Sequence, residues 1–360
     1  MKIVVGMSGG VDSAVSALLL RRAGHEVIGV FMKNWEEADA EGVCAATRDF
    51  EDVRATCDIL SIPYYAVNFA TAYRDQVFSH FLDEYQKGRT PNPDVLCNRE
   101  IKFKAFLRFA LRLGAEKLAT GHFAGLREAA DGVRLLRGAD GDKDQSYFLY
   151  MLTQEPLARA MFPVGHLTKR AVRSLAREAG LPVADKRDST GVCFIGERNF
   201  KAFLKGFLPA QPGDIVTPDG RVMGRHDGLM YYTLGQRRGL GIGGVKGGAG
   251  RWFVVEKNLA ENTLVVLQGE DSPLLYSTVC QAGGATWVLG HPPAVSFDAT
   301  AKYRYRQADQ RVHVEARGDD LLVTAYTPQR AVTPGQSVVL YDGEVCLGGG
   351  VVYRVGPGNG

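Results

Sequence analysis

The chain has 360 residues, of which 45% are hydrophobic and 23% charged, and its formal net charge is +3 at pH 7. This composition is typical of a soluble globular protein of two or three domains. No apolar run approaches the roughly eighteen residues that a membrane span needs, and Met1 and Lys2 lead into a strand without a signal-peptide pattern. We therefore expect a cytoplasmic protein with no membrane segment, and the small net charge does not by itself indicate a nucleic-acid partner.

Strand and helix patterns alternate over the first 120 residues. Short apolar runs predict strands at 2–8, 26–32, 63–69 and 116–122, and helical stretches are predicted near 13–23, 49–60, 72–87 and 102–113. This alternation predicts an α/β fold with a doubly wound parallel sheet, whose ligands bind beyond the carboxyl ends of the strands. The segments 7–13, 31–35 and 120–123 all fall at that edge.

The later part of the chain changes character. A second helical block covers about 145–206, and short strands with frequent Gly and Pro turns follow from about residue 207. We expect an N-terminal α/β domain at 1–200 and two small β domains, at 201–274 and 275–360.

The first strand and helix are joined by a loop rich in glycine and serine. The sequence VVGMSGGVDSAVSALLL at 4–20 places an SGGxDS motif between them, and this arrangement favours anions. It lacks the lysine of a P-loop and the spacing of GxGxxG, and the alternative is a helix start capped near Asp12 or Ser13. A carboxylate at Asp12 fits an anion site if Mg²⁺ enters with the anion. The loop resembles the pyrophosphate loop (PP-loop) of the N-type ATP pyrophosphatases, which split ATP into AMP and pyrophosphate.

Six cysteines are present, and they form no CxxC or zinc-type cluster. Cys97 lies in TPNPDVLCNREIKF, close to the helix predicted from about Lys102, and Cys193 lies in a glycine-bounded turn, DSTGVCFIGERNF. Nearby basic residues lower the pKa of a thiol, so we expect both cysteines to be activated thiols on loops. The remaining four are expected to be buried small hydrophobic residues; they are Cys44, Cys57, Cys280 and Cys346.

Several motifs along the chain together resemble the bacterial tRNA-specific 2-thiouridylases. The matching segments are GMSGGVDS at 6–13, FMKNW at 31–35, NPDVLCNREIKF at 92–103, TGHFA at 120–124, KDQSYFL at 143–149 and GVCFIGERNF at 191–200. YTLGQRRGLGIGG at 232–244 and KYRYRQ at 302–307 continue the match. The resemblance implies an adenine nucleotide alpha-hydrolase-like domain, a central β domain and a C-terminal β-barrel that contacts tRNA.

The resemblance implies that ATP activates the wobble uridine, position 34 of the tRNA, by adenylation at C2. Mg²⁺ would enter with ATP and would not be fixed by the protein itself, with Asp12 as its candidate ligand. The residues assigned to ATP are Gly6, Met7, Ser8, Gly9, Gly10, Val11, Asp12, Ser13, Met32 and Gly121. From the residues alone, Met32 is more simply explained by core packing.

The resemblance also gives the two thiols separate roles. Cys193 would carry a persulfide, and Cys97 would be the nucleophile that resolves it and forms a Cys97–Cys193 disulfide. Released hydrosulfide as the attacking species is an alternative that the sequence leaves open. Asp94 is a candidate general acid/base, and an ordinary turn aspartate is the equal alternative.

RNA contacts follow from the same resemblance. Asn92, Pro93 and Asp94 would line the pocket of the target base, and the other expected tRNA contacts are His122, Lys143, Asp144, Gln145, Arg304, Tyr305 and Gln336. On a strand, Lys302, Arg304 and Arg306 would share one face and suit phosphates, although an ordinary solvated face is the commoner explanation of such a pattern. The expected partners are wobble-uridine tRNAs for Lys, Glu and Gln, and a sulfur-relay protein or cysteine desulfurase as persulfide donor.

Two other functions compete with this one. Another ATP pyrophosphatase, such as an amidotransferase or synthetase, would need no paired thiols and would tolerate Cys97→Ser. An RNA-binding protein with a vestigial nucleotide site would bind tRNA without forming AMP, and the complete SGGxDS loop argues against it.

Overall fold

The computed structural model describes residues 1–35, 45–188, 200–242 and 250–356. In the N-terminal part, β1 (Lys2–Met7), β2 (Glu26–Lys33), β3 (Tyr64–Asn68) and β4 (Lys117–Ala119) lie within a few residues of the predicted strands. A hairpin of β5 (Ala124–Ala129) and β6 (Gly132–Arg137) follows, and then the short β7 (Ala160–Met161). The sheet has the order β3-β2-β1-β4-β7 with every neighbour parallel, which confirms the predicted parallel sheet.

Helices cover both faces of this sheet. The alternation of β1 places Ile3 and Val5 in one core, with the helices Val11–Arg22, Ala45–Leu60 and Lys169–Glu178. Val4 points into the other core, against residues such as Phe103 and Phe106. Because apolar side chains leave the central strand in both directions, the sheet is doubly wound as predicted.

Two long helices contain π-helical turns. The first consists of the consecutive segments Ala70–Tyr73, Arg74–Phe78 and Ser79–Gln86, and the second of Pro93–Leu96, Cys97–Phe106 and Leu107–Arg112. The second helix, here called the Pro93 helix, begins nine residues before the predicted start at Lys102. Asn92 caps it by accepting a hydrogen bond from the Asp94 N–H, and Pro93 occupies the first turn, where its missing N–H costs nothing. The shorter helices Ser146–Leu149, Gln154–Arg159 and Phe200–Lys205 lie in the predicted second helical block.

The central part of the chain forms a small sheet. Its strands are β8 (Gly213–Val216), β9 (Val222–His226), β10 (Trp252–Asn258) and β11 (Thr263–Gln268), in the order β10-β11-β8-β9. Ile215, Val254, Leu264 and Val266 share a core with Cys97 and with the helix that ends at Gln86. The central sheet therefore packs directly on the helix that carries a predicted functional cysteine.

The C-terminal strands form a closed barrel. They are β12 (Tyr276–Trp287), β13 (Ser296–Lys302), β14 (Gln310–Arg317), β15 (Asp320–Arg330), β16 (Ser337–Asp342) and β17 (Val345–Gly356), and β17 pairs back onto β12. This closure confirms the expected β-barrel. At its first residues β17 also pairs with β6, at Cys346 with Leu135, so the N-terminal hairpin extends the barrel sheet. No helix in the described parts of the chain is long and apolar enough to cross a membrane.

Candidate active site

The loop after β1 has the geometry of an anion site. Gly9 has a φ of +71°, and a Cβ there would lie 2.6 Å from the carbonyl oxygen of Asp49. The Ser13 hydroxyl accepts a hydrogen bond from the Ser8 N–H at 3.2 Å and donates one to the Gly10 carbonyl at 3.1 Å. Gly10 is the N-cap of the helix, and among the described residues no side chain caps it. The alternative of a helix start capped by Asp12 or Ser13 is therefore wrong, and the first-turn N–H groups remain available to an anion.

A second loop lies against this one at the carboxyl edge of the sheet. A Cβ on Gly121 would lie 2.7 Å from the Ser13 nitrogen and 2.8 Å from the Asp12 carbonyl carbon, so only glycine allows this approach. Met32 lies half-buried near the end of β2 and packs against the core. The predicted ATP residues of three separate segments thus lie at one edge of the sheet, where doubly wound proteins bind their ligands.

Asp12 is engaged by a lysine that the sequence analysis did not single out. Lys169 Nζ lies 2.7 and 2.8 Å from the two carboxylate oxygens of Asp12, and 2.7 Å from Oδ1 of Asp188. Burial raises the pKa of Asp12, although Lys169 acts in the opposite direction. The pairing with Lys169 keeps a carboxylate beside an anion site, where it would otherwise repel the ligand.

A second lysine that the sequence analysis did not assign to the loop after β1, here called the phosphate loop, also bonds to it. Lys186 Nζ donates to the Gly9 carbonyl at 3.0 Å and pairs with Asp49 at 2.8 Å and Asp52 at 2.6 Å. Burial opposes the charged form of Lys186, but the two carboxylates outweigh it and raise the pKa of the lysine. Lys186 therefore ties the loop to the helix Ala45–Leu60.

Of the two cysteines predicted to be functional, the structure describes only Cys97. Cys193 and Cys44 lie outside the described residues. Cys97 lies at the start of the π-helical part of the Pro93 helix and is 1% exposed, in a core with Tyr73 and Phe81. The expectation that Cys97 lies on a loop, outside the core, is wrong because Asn92 and Pro93 start the helix before it. Cys57, Cys280 and Cys346 are buried, as expected.

The residues around Cys97 are anchored to the barrel. Gln336 donates from its side-chain nitrogen to the Thr90 carbonyl at 2.7 Å, and the Thr90 N–H donates to the Pro334 carbonyl at 2.9 Å. Asn92 and Asp94 are half-buried, with Asn92 engaged as the helix cap. Asp94 precedes Cys97 by three residues, a spacing that places both on one side of a helix. Gln336 thus contacts the segment that leads into the Pro93 helix.

His122 lies inside the protein. It is 7% exposed, its ring packs against those of Phe103 and Phe162, and its Nδ1 is 2.7 Å from the Thr120 hydroxyl. Burial lowers the pKa of His122 well below its ordinary value, and the charge of Lys102 acts in the same direction. His122 is therefore a neutral ring at pH 7, and its contact with RNA remains a prediction.

The three residues at 143–145 have different surroundings. Lys143 pairs with Asp188 at 2.6 Å. Asp144 is 5% exposed and accepts hydrogen bonds from the N–H groups of Gly138 and Ser146, both at 3.0 Å. Gln145 accepts a hydrogen bond from the Phe123 N–H at 2.9 Å. Asp144 and Gln145 thus bond to the backbone of the loops beside the site, and Lys143 is the only cation among the three residues.

The basic segment at 302–307 is not a strand face. β13 ends at Lys302, and Tyr303–Gln307 form a turn in which the Gln307 side chain accepts a hydrogen bond from the Tyr303 N–H. The Lys302 side chain is only 12% exposed and lies 4.0 Å from Asp309. The prediction that Lys302, Arg304 and Arg306 share one strand face is therefore wrong. Arg304 and Arg306 are exposed on the turn, and Tyr305 packs on Phe148.

The doubly wound sheet and the Gly/Ser loop at the end of β1 define a nucleotide-binding domain of the PP-loop class. The family model of the tRNA methyl transferase HUP domain matches residues 1–197, that of the tRNA methyl transferase PRC-barrel domain matches 201–268, and that of the aminomethyltransferase beta-barrel domain matches 277–352.

Curated relatives identify the family more closely. The tRNA-specific 2-thiouridylase MnmA of Alkaliphilus oremlandii is 57% identical over 356 residues, which cover 98% of this chain and 97% of that protein. The protein of the same name from Bacillus pumilus is 58% identical, over 98% of this chain and 95% of its own. The chain therefore belongs to the tRNA-specific 2-thiouridylase family. A solved structure of the U34-tRNA thiolase NcsA from Methanococcus maripaludis covers 53% of this chain and 61% of its own at 19% identity, with a TM-score of 0.36.

Proposed function

We propose that this protein is an ATP-dependent tRNA 2-thiouridylase, which replaces the C2 oxygen of the wobble uridine with sulfur. Similarity to tRNA-specific 2-thiouridylases over 98% of the chain carries the proposal. The SGGxDS loop beside Gly121 adds a physical reason, since it offers backbone donors at the sheet edge where ATP has to bind. The units 1–200, 201–274 and 275–360 are assigned to nucleotide activation, a connecting sheet and tRNA contact.

ATP fits the residues of the phosphate loop. The open N–H groups of the first helical turn and the Ser8 hydroxyl are donors for phosphate oxygens, and Gly9 and Gly121 leave room for close approach. The uridine O2 attacks the α-phosphorus and pyrophosphate leaves, which makes C2 an electrophile with AMP as its leaving group. Mg²⁺ bound to ATP would neutralise phosphate charge. Asp12 would hold it only by giving up part of its pairing with Lys169, whose Nζ lies 2.7 and 2.8 Å from the two carboxylate oxygens.

Sulfur transfer then uses the two cysteines. The outer sulfur of a Cys193 persulfide attacks C2, and the C2–O bond breaks as AMP leaves with the oxygen. The Cys97 thiolate attacks the inner sulfur of Cys193, which breaks the S–S bond, frees the thiolated base and leaves a Cys97–Cys193 disulfide. A reductant or dithiol donor has to restore both thiols. Because Cys97 is 1% exposed, the side chains that cover it have to move before it reacts.

The remaining roles are assigned around this step. Asp94, on the same helix side as Cys97, is the general acid/base, and Asn92 and Pro93 line the pocket of the target base. Lys143, Arg304 and Tyr305 contact the tRNA, whose isoacceptors we propose to be those for Lys, Glu and Gln. A sulfur-relay protein or cysteine desulfurase in the cytoplasm supplies the persulfide.

The two thiols can be separated experimentally. We expect Cys193→Ser to accept no persulfide from a donor, yet to release pyrophosphate with tRNA and ATP, because adenylation needs no thiol. Cys97→Ser should still load sulfur on Cys193 but should not complete turnover. The measurement is a peptide map of non-reduced protein after one turnover, in which the wild type should show the Cys97–Cys193 disulfide. Two unlinked thiols would contradict the role of Cys97, and a persulfide on Cys97 would reverse the assignment.

A further inference from the structure

A chain of ion pairs runs from the phosphate loop to the segment that leads toward Cys193. Asp12 pairs with Lys169 at 2.7 Å, Lys169 pairs with Asp188 at 2.7 Å, and Asp188 pairs with Lys143 at 2.6 Å. Asp188 precedes Cys193 by five residues in the sequence. The Asp188 carboxylate thus connects the segment before Cys193 with two other features. Through Lys169 it reaches Asp12 of the proposed ATP site, and it pairs directly with Lys143, a proposed tRNA contact.

Asp188 is held on several sides. Its Oδ1 accepts a hydrogen bond from Arg173 at 3.0 Å, and the same guanidinium donates to the carbonyls of Ala184 at 2.8 Å and Lys186 at 2.9 Å. The Lys169 backbone N–H donates to Asp140 at 2.8 Å, which fixes the start of that helix. Burial alone would raise the pKa of Asp188, but the bonds from Lys143 and Lys169 outweigh it and lower the pKa to about 2. The carboxylate is therefore charged at every pH at which the enzyme would work.

A neighbouring ion pair provides a contrast. Asp185 pairs with Arg177 at 2.7 Å, from the same segment to the same helix, but the two side chains are 76% and 56% exposed. Lys169, in the Asp188 network, is 12% exposed. Exposed single pairs contribute little, whereas networks of partly buried charges fix geometry.

We propose that Asp188 is a positioning residue that couples nucleotide activation to sulfur transfer, because it fastens the segment before Cys193 to the Lys169–Asp12 pair of the phosphate loop. The inference rests on the proposed function and deepens it. When Asp188 is in place, the last described residues before Cys193 are tied to the phosphate loop, and we expect the persulfide to react with the adenylated C2 faster than water does. When the Asp188–Lys169 ion pair is lost, water attacks C2 in place of the persulfide and the C2–O bond to AMP breaks. Uridine is then regenerated, and one ATP is consumed without forming 2-thiouridine.

The coupling is measured as the ratio of pyrophosphate released to 2-thiouridine formed, with tRNA, ATP, Mg²⁺ and a persulfide donor. We expect Asp188→Asn, which keeps the shape and removes the charge, to raise this ratio at least about fivefold, with pyrophosphate release within about threefold of wild type. Asp185→Asn is the matched control and should leave the ratio unchanged. Lys169→Met breaks the same chain at its middle and should also raise the ratio, so the test does not depend on one variant folding.

The ratio of pyrophosphate to 2-thiouridine distinguishes a positioning role of Asp188 from a purely structural role. A purely structural role would lower pyrophosphate and 2-thiouridine together and leave the ratio unchanged, and that result in the folded Asp188→Asn and Lys169→Met variants would overturn the inference. Thermal melting of each variant establishes that it is folded. If the wild type forms no 2-thiouridine, the proposed function fails and this inference with it; if it forms 2-thiouridine and only the ratio is insensitive, the proposed function stands and the inference fails.

Discussion

Gly9 determines the shape of the phosphate loop, and its replacement gives the first prediction. In Gly9→Ala the methyl group would meet the Asp49 carbonyl oxygen at 2.6 Å, at a φ of +71° that disfavours alanine. We expect pyrophosphate release to fall at least about tenfold, because the loop has to shift away from the phosphates. Gly24→Ala is the matched control, since Gly24 has a φ of +79° with no atom within 4 Å of the added Cβ. It should cost only about 1–2 kcal/mol of stability, and equal activity in both variants would contradict the assignment of the loop.

His122 predicts a pH dependence of stability. Burial and the charge of Lys102 hold its pKa well below the ordinary value of 6.5, so the folded protein keeps the ring neutral while the unfolded chain binds a proton. As the pH falls below about 6.5, this group destabilises the folded state by up to about 1.4 kcal/mol per pH unit. In His122→Asn, denaturant unfolding should lose less stability between pH 7 and pH 5 than in the wild type. An equal loss in both proteins would show that His122 is not the group that titrates.

Site residues could be predicted from the sequence when they are neighbours along the chain, and could not when only the fold brings them together. The Gly/Ser loop was predicted because its glycines, serines and flanking strand and helix are contiguous in the sequence. Lys169 and Lys186 were not assigned to the loop because they contact Asp12 and Gly9 across 157 and 177 residues. A lysine at the first position of an amphipathic helix is an ordinary surface residue until the fold brings a carboxylate to it.

The elements were predicted best where periodicity is strong. The buried strands of the N-terminal sheet and the helices beside them were found within a few residues, because both faces of the sheet are apolar. The start of the Pro93 helix was missed because the residues before Lys102, including Cys97, were expected to form a loop. The pair Asn92-Pro93 is in fact a cap followed by a first-turn proline, and this signal was available in the sequence.

The turn at Tyr303–Gln307 gives a prediction for the basic segment. Arg304 is exposed on the turn, whereas Lys302 is 12% exposed and lies 4.0 Å from Asp309. We expect Arg304→Ala to weaken tRNA binding and to reduce the slope of log affinity against log salt by about 0.7–0.9, as for one lost phosphate contact. Lys302→Ala should leave the slope unchanged. Titrations of tRNA at several salt concentrations test this, and an equal loss of slope in Lys302→Ala would contradict the assignment of the phosphate contact to the turn.

At the scale of the whole molecule, the three parts of the chain meet at the Pro93 helix. Its Cys97 lies in a core shared with the central sheet, the Thr90 segment before it bonds to Pro334 and Gln336 of the barrel, and β6 pairs with β17. The order of α/β, β and β parts was predictable from composition and turn patterns. The contacts between them were not, because a strand pairing between residues 135 and 346 leaves no local pattern in the sequence.

The central claim is that this chain exchanges the C2 oxygen of a tRNA uridine for sulfur at the expense of ATP. The most direct test is mass analysis of nucleosides from wobble-uridine tRNA incubated with the protein, ATP, Mg²⁺ and a persulfide donor. We predict a nucleoside about sixteen mass units above uridine, as replacement of oxygen by sulfur requires, and its absence when ATP or the protein is omitted. Unchanged uridine with every persulfide donor, or the same product without ATP, would contradict the claim.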